Sequence, residues 1–409
     1  MKPVEIARDI YWVGALDPRI RRFDIVMEAP HGTTYNAYLV KGKEKTALID
    51  LVKPPFKEVF FSNLESLVDL SEINYVILSH TEPDHSGVLG DFLQKVPSAR
   101  VVAMSTAGRF IQNLLNQDIN PLLVEDGQTL DLGGRRLTFI QAPFLHWPDT
   151  MLTHLEPDKI LFTCDFLGCH YSDERLFDDR AGDFSPEFQY YFDCLFRPHK
   201  AYVLRALEKL AGREISMIAT GHGPLLRSDP KKYMELYRTW STSPEKTQKT
   251  LAIFYASAYG NTARMAKEIA VGAESEGVKA GLYDVVTTDM NEAVDRLEEA
   301  DGVLVGSPTM NADAVKPVWD LLSSLVTIKV RGKVGGAFGS FAWSGEAPKQ
   351  LEDRLKGLKF KVPLSAPRAN FVPSEEDLQA CRQFGADIAK AIKGACTPSS
   401  SLRTSRLCG

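Results

Sequence analysis

Directly after a short apolar run, Tyr75–Ser79, the chain reads His80-Thr81-Glu82-Pro83-Asp84-His85. Four potential metal ligands fall within these six residues. Pro83 is expected to stop the segment from continuing as strand or helix, leaving a turn that aims several side chains at one point. Three further candidates each follow a predicted strand: His146 after Arg136–Gln141, Asp165 after Ile160–Cys164, and His222 after Ile215–Thr220. A lone histidine or aspartate at a strand end is ordinarily a cap or a surface group. Here, however, four of the chain's eight histidines belong to one set. His31, His154, His170 and His199 have no comparable setting and are read as structural. Functional side chains on loops at one edge of a rigid sheet are the usual way a fold builds a site.

A second constellation lies downstream. The strand Leu251–Tyr255 is followed by Ser257-Ala258-Tyr259-Gly260-Asn261-Thr262 and then a helical pattern over Thr262–Glu274. Hydroxyls, an amide and the N–H groups of a helix start make an anion cradle without Lys or Arg, suited to a phosphate monoester. Two more loops follow the strands Val303–Val305 and Val334–Phe338. These are Ser307-Pro308-Thr309-Met310-Asn311 and Ser340-Phe341-Ala342-Trp343-Ser344-Gly345. Ligands of open parallel sheets bind at the carboxyl ends of strands, and the last loop offers aromatic rings to a flat heterocycle. All three loops resemble the phosphate loop and the two isoalloxazine loops of flavodoxins, and that resemblance implies FMN as the ligand, with Trp343 as ring neighbour. There is no GxGxxG fingerprint with a downstream acidic residue, so NAD is not expected as a Rossmann ligand.

The elements that must position these residues fall into two unlike halves. Upstream, the strands Ile10–Val13, Ala37–Val40, Thr46–Asp50, Tyr75–Ser79 and Arg100–Ala103 alternate with polar loops, and some helical patterns lie between the later strands. Downstream, Leu251–Tyr255, Gly281–Val286, Val303–Val305 and Val334–Phe338 alternate with helices, the rhythm of a doubly wound parallel sheet. A polar stretch, Ser241 to Lys249, separates the halves. Residues 1–245 and 246–395 are the expected domains, and 396–409, rich in Ser, Thr and Pro, the expected disordered tail.

Composition agrees with two or three packed domains: 409 residues, 44% hydrophobic and 25% charged, too apolar for a disordered chain. A net charge of −5 lacks the basic footprint of a nucleic-acid binder. The longest apolar runs are strand-sized, so no membrane span is expected. Met1 through Trp12 lacks the apolar core of a signal peptide. Six cysteines without a CxxC pair argue against a disulfide framework or an iron–sulfur cluster, and the expected home is the cytoplasm.

The metal pattern is similar to the HxHxDH signature of the metallo-β-lactamase fold, with Glu82 where zinc hydrolases usually carry a second histidine. An anionic oxygen in place of an imidazole favours iron or manganese over zinc. HxExDH at this spacing, followed by the three flavin loops in order, resembles the flavodiiron proteins. The signatures His146-Trp147-Pro148-Asp149 and Asp165-Phe166-Leu167-Gly168-Cys169-His170-Tyr171 agree.

The resemblance covers residues 1 to 395. It implies an N-terminal metallo-β-lactamase-like αββα sandwich followed by a flavodoxin-like doubly wound parallel sheet. It also implies two non-haem iron ions and FMN. His80, Glu82 and His146 would hold one iron, and Asp84, His85 and His222 the other, with Asp165 bridging. In some members the histidine at the place of His85 swings away. Family members often carry a pocket histidine where Asp24 follows Phe23 here, whereas Gly32-Thr33-Thr34-Tyr35-Asn36 matches.

The implied activity is reduction of O2 to water, of NO to N2O, or both. Two ferrous ions and a reduced FMN hold the four electrons that O2 needs. No donor domain is fused in this sequence, so electrons would come from outside, from rubredoxin or from a deazaflavin cofactor.

A first domain of this length has a radius of gyration of about 18 Å. Side by side in one chain, the cofactors would stand tens of Å apart. A head-to-tail homodimer, or a dimer of dimers, is therefore expected. One other reading remains, a metal-dependent hydrolase with a regulatory flavodoxin domain; a flavodoxin-like carrier with a vestigial first domain fails, because none of the seven ligands is missing.

Overall fold

The computed structural model describes residues 1–242 and 246–394. The expected boundary at residue 245 and the expected tail 396–409 lie outside the described residues. Contacts divide the chain into two compact units between Ser243 and Pro244.

The first unit holds two stacked sheets. One has seven strands in the order Val4–Ala7, Ile10–Trp12, Tyr38–Lys41, Thr46–Ile49, Ile73–Ile77, Arg100–Met104 and Leu122–Val124. The other has five, Thr129–Asp131, Arg136–Gln141, Met151–Glu156, Ile160–Cys164 and Met217–Thr220. Strand alternation sorts their side chains onto two faces. Trp12, Tyr38, Val40, Ile49 and Ile77 pack against Phe139, Met151, Leu155 and Phe162 between the sheets. Leu39, Leu48 and Val76 face outward under Phe60, Leu64 and Phe92, while Leu161 and Ile218 join a layer with Phe188, Val203 and Leu207. The result is an αββα sandwich.

In the second sheet Arg136–Gln141 and Met151–Glu156 are antiparallel, as are Met151–Glu156 and Ile160–Cys164, while Ile160–Cys164 runs parallel to Met217–Thr220. The strands that precede His146, Asp165 and His222 therefore share one direction and one carboxyl edge.

The second unit is a five-stranded parallel sheet ordered Lys279–Asp284, Thr250–Tyr255, Gly302–Gly306, Val334–Phe341 and Arg368–Asn370. Leu251 and Ile253 face the helices Asn261–Ser275 and Glu375–Gly394. Ala252 and Phe254 face those over 290–299, 316–323 and 347–357. The first pair of helices touches backbone to backbone. A Cβ on Gly272 would stand 1.8 Å from Arg382 O, and one on Gly385 2.0 Å from Ile269 O, so only glycine fits there.

Several expectations shift. Pro83 does not leave a bare turn: it opens a one-turn helix, Pro83–Ser86, because the first helical position needs no N–H. The third strand of the second sheet, Met151–Glu156, has no counterpart in the sequence reading. Its buried Thr153 and His154 break the apolar pattern. The strand expected at Gly281–Val286 is Lys279–Asp284, and the one expected to stop at Phe338 runs on to Phe341, taking Ser340 and Phe341 into the sheet.

Candidate metal centre and flavin loops

His80, Glu82, His146 and Asp165 place one ligand atom each within 4.8 Å of one another, and so do Asp84, His85 and His222. The local fold explains the convergence. Glu82 is the N-cap of the helix Pro83–Ser86 but makes no side-chain capping bond, which leaves its carboxylate to the histidines. Its Oε2 lies 3.2 Å from His80 Nε2 and 2.9 Å from His146 Nε2. Asp84 Oδ2 lies 3.2 Å from His85 Nε2 and 3.0 Å from His222 Nε2.

Asp165 stands between the two groups. Its Oδ2 is 3.1 Å from His80 Nε2 and 3.3 Å from His146 Nε2, and its Oδ1 is 3.1 Å from His85 Nε2 and 3.4 Å from His222 Nε2. One carboxylate oxygen thus faces each triad. His85 points inward with the rest, its Nε2 3.1 Å from that of His222.

All four histidines present Nε2 to the centre and turn Nδ1 away. His222 Nδ1 lies 2.5 Å from Thr34 O, and His80 Nδ1 lies 3.5 Å from Cys164 Sγ. Outer contacts of this kind fix the tautomer that leaves Nε2 free for a metal. Four imidazoles and three carboxylates aimed at two points fit a pair of iron ions. The orphaned, buried Asp84 Oδ1 fits as well, since a carboxylate so placed needs a cation.

Electrostatics show what an ion would displace. Burial opposes a charge on His80, but contacts with Cys164 and Asp165 outweigh it and raise the imidazole well above its ordinary range. Burial likewise opposes charge on His85, and Asp84 leads the groups that raise it. At His146 burial is outweighed by the bonds to Asp165 and Glu82, which bring it to about 9. Conversely, burial would raise Glu82, yet the bonds from His146 and His80 hold it at about 2.

The metal-free centre therefore favours protons on His80, His85 and His146 at neutral pH, and a metal must expel them. Divalent-ion affinity is expected to rise with pH from about 6 to about 8, with protons released on binding. Calorimetric titration of the metal-free protein with Mn2+ or Co2+ in buffers of differing ionisation enthalpy measures both. A flat affinity without proton release would contradict this charge state.

Two neighbours of the centre, His170 and Tyr191, escaped the sequence reading, and Asp24, noted there, stands beside it. His170, read as merely structural, is buried at its edge. Its Nδ1 is 2.9 Å from Thr33 Oγ1, its ring lies 4.9 Å from that of His222, and Phe23 packs on it at 4.1 Å. Tyr191 donates its hydroxyl to Asp165 Oδ1 over 3.0 Å. Asp24 stands near Glu82 and Asp84. Burial first, and then those two carboxylates, push its carboxyl up to about 6. The only sequence signal for His170 was its place five residues beyond Asp165. Tyr191 had none.

In the second unit the three loops emerge at the carboxyl ends of three neighbouring parallel strands. Ser257 Oγ accepts Ala263 N–H at 3.1 Å, and Thr262 Oγ1 lies 2.9 Å from Ser340 Oγ, joining the first loop to the third. Gly260, at φ +80°, has open space where a Cβ would stand. Thr309-Met310 pairs with Asp313-Ala314 in a small hairpin, and Thr309 Oγ1 accepts Ala347 N–H at 3.3 Å. Trp343 is 84% exposed and Tyr259 91% exposed, so their faces are open to a ring. Hydroxyls and N–H groups at a helix start, flanked by open aromatic faces, fit FMN. Phe371, whose N–H donates to Phe341 O, is exposed at the same edge and was not anticipated.

Residues 33–223 match a family model described as ODP family beta lactamase, and residues 253–385 match one described as flavodoxin. The chain is 43% identical over 404 residues to type A flavoprotein fprA of Rhodobacter capsulatus, covering 97% of this chain and 93% of that protein. It is 41% identical over 401 residues to flavo-diiron protein FprA2 of Clostridium acetobutylicum, covering 96% and 100%. It is 36% identical over 398 residues to a protein named nitric oxide reductase in Moorella thermoacetica, covering 96% and 99%.

Among solved structures it is similar to the flavodiiron protein of Giardia intestinalis, with TM-score 0.67, 30% identity, and coverage of 97% and 98%. It is also similar to rubredoxin oxygen:oxidoreductase of Desulfovibrio gigas, with TM-score 0.69, 29% identity, and coverage of 96% and 99%. Fold and relatives together define an oxidoreductase with a diiron centre and FMN. The chain belongs to the flavodiiron family, the type A flavoproteins.

Proposed function

We propose that this chain reduces O2 to water, NO to N2O, or both, with electrons relayed from an external donor through FMN. In this reading residues 1–245 form the diiron domain and 246–395 the FMN domain. His80, Glu82 and His146 hold one iron, Asp84, His85 and His222 the other, and Asp165 bridges. The loops at 257–262, 307–311 and 340–345 hold FMN. The observation that carries the reading is Asp165, with one oxygen toward each triad. The names of the Moorella and Desulfovibrio relatives support the two substrates, and the second favours rubredoxin over a deazaflavin as donor.

When bound, two ferrous ions and reduced FMN supply the four electrons of O2 reduction, or the two that two NO need. The chain's own residues set the geometry. Thr34 and Cys164 orient His222 and His80, and Tyr191 holds Asp165. Asp84, His85 and His222 are buried, while the side chains of Glu82 and His146 are partly exposed. Substrate enters on the Glu82 side, where Asp24 stands.

Four free cysteines among the described residues agree with a reducing cytoplasm. No helix among those residues is long and apolar enough to cross a membrane. A head-to-tail homodimer finds support in the apolar side chains left open in each unit: Ile25 and Val26 beside Asp24 in the first, Tyr259 and Trp343 in the second.

The test is consumption of O2 and of NO, side by side, by the chemically pre-reduced protein with its iron and FMN measured. Turnover of either gas supports the proposal and ranks the substrates. Bound zinc without flavin, and turnover of neither gas, would favour the hydrolase instead.

A further inference from the structure

Asp149 is 1% exposed and sits three residues beyond His146. Its Oδ2 accepts two hydrogen bonds from one residue, from Thr81 N–H over 3.0 Å and from the Thr81 hydroxyl over 2.8 Å. Thr81 stands between His80 and Glu82. A single carboxylate therefore ties the loop that carries two ligands of one triad to the loop that carries the third. The other triad is braced differently. Leu51 N–H donates to His85 O over 2.8 Å, and His222 rests on Thr34, whereas Ser86 Oγ braces the first triad's own loop at Thr81 O and Glu82 O.

We propose that Asp149 is a positioning residue for the metal held by His80, Glu82 and His146, acting through Thr81, and not for the metal held by Asp84, His85 and His222. The inference rests on the ligand assignment above. Two hydrogen bonds from one residue to a single carboxylate oxygen fix that residue at two points. Ligands also have to be held within about 0.5 Å of their working positions. With the clamp gone, the Thr81 N–H and hydroxyl are left buried without their acceptor, and the turn between His80 and Glu82 can relax.

The experiment measures iron and FMN per chain and the electron paramagnetic resonance spectrum in Asp149→Ala, Asp149→Asn and the unaltered protein. Asp149→Ala is expected to keep FMN and about one iron, with the spectrum of an isolated ferric ion replacing that of a coupled pair. Affinity at the weakened site should fall about 10- to 100-fold. Asp149→Asn retains an acceptor oxygen and should recover most of the second iron. Two irons with an unchanged coupled spectrum in Asp149→Ala overturn the proposal, as does loss of both irons together in both variants. Should Asp149→Ala fail to fold, Thr81→Val removes only the hydroxyl donor. Selective weakening of one iron supports the proposal there, and unchanged binding of both overturns it. An unaltered protein that binds no iron pair would refute the ligand assignment instead, a different result.

Discussion

Replacing Asp165 by Asn is expected to give a chain that keeps its FMN but holds no more than one iron ion. In the structure the Asp165 carboxylate is shared by all four histidines, Oδ2 toward His80 and His146, Oδ1 toward His85 and His222. A carboxylate can span two cations because both of its oxygens are anionic acceptors. An amide offers one neutral oxygen and an NH2 that only donates. Whichever triad faces that NH2 loses a ligand and gains a misdirected donor in a buried setting. The second compact unit lies wholly beyond the substitution, so flavin content should not change. Gas reduction should drop by at least tenfold, roughly the lower bound for losing an interaction worth 1.4 kcal/mol at the transition state. Iron and flavin analysis of the purified variant decides the matter. Two irons with full turnover would remove Asp165 from the bridge.

The part of this centre that was legible in the sequence is the part encoded locally. His80-Thr81-Glu82-Pro83-Asp84-His85 declares itself because four ligand types crowd one turn, and Asp165 and His222 follow apolar strands at once. What holds those side chains in place was not legible. Thr34 supports His222 across 188 residues, and Tyr191 reaches Asp165 from a helix whose own pattern is that of an ordinary aromatic core. Such contacts leave no period in the chain, because they exist only once two sheets have stacked.

The fold shows the same division. Val40, Ile49 and Phe162 alternate with outward-facing neighbours and mark their strands. Arg368–Asn370 buries only its middle residue, and Met151–Glu156 hides Thr153 and His154 between apolar positions, so neither strand announced itself. Pro83 misled for a different reason. Proline ends helices from the inside and starts them from the first position, and only the direction of the chain after Glu82 distinguishes the two.

The remaining large effect concerns two chains rather than one. His146→Asn should disable the diiron centre while leaving FMN in place. Asn261→Asp puts a negative charge at the first residue of the helix Asn261–Ser275, where the phosphate would lie, and should expel FMN while leaving the irons. Each variant alone is expected to be inactive. If electrons pass from the FMN of one chain to the irons of its partner, a heterodimer of the two variants contains one complete pair. Isolated by two affinity tags, such heterodimers should recover about half of the unaltered activity. Unsorted co-expression should give about a quarter, since random pairing of two chains in a two-fold dimer makes half of the dimers mixed. A chain that delivers electrons to its own irons predicts the opposite outcome, because neither variant then carries a working pair. The open apolar side chains at the loops of each unit, Ile25 and Val26 in one and Tyr259 and Trp343 in the other, are where a partner copy would cover them. Verified heterodimers without activity, or a fully active monomer, would refute transfer between chains while leaving the ligand assignment intact.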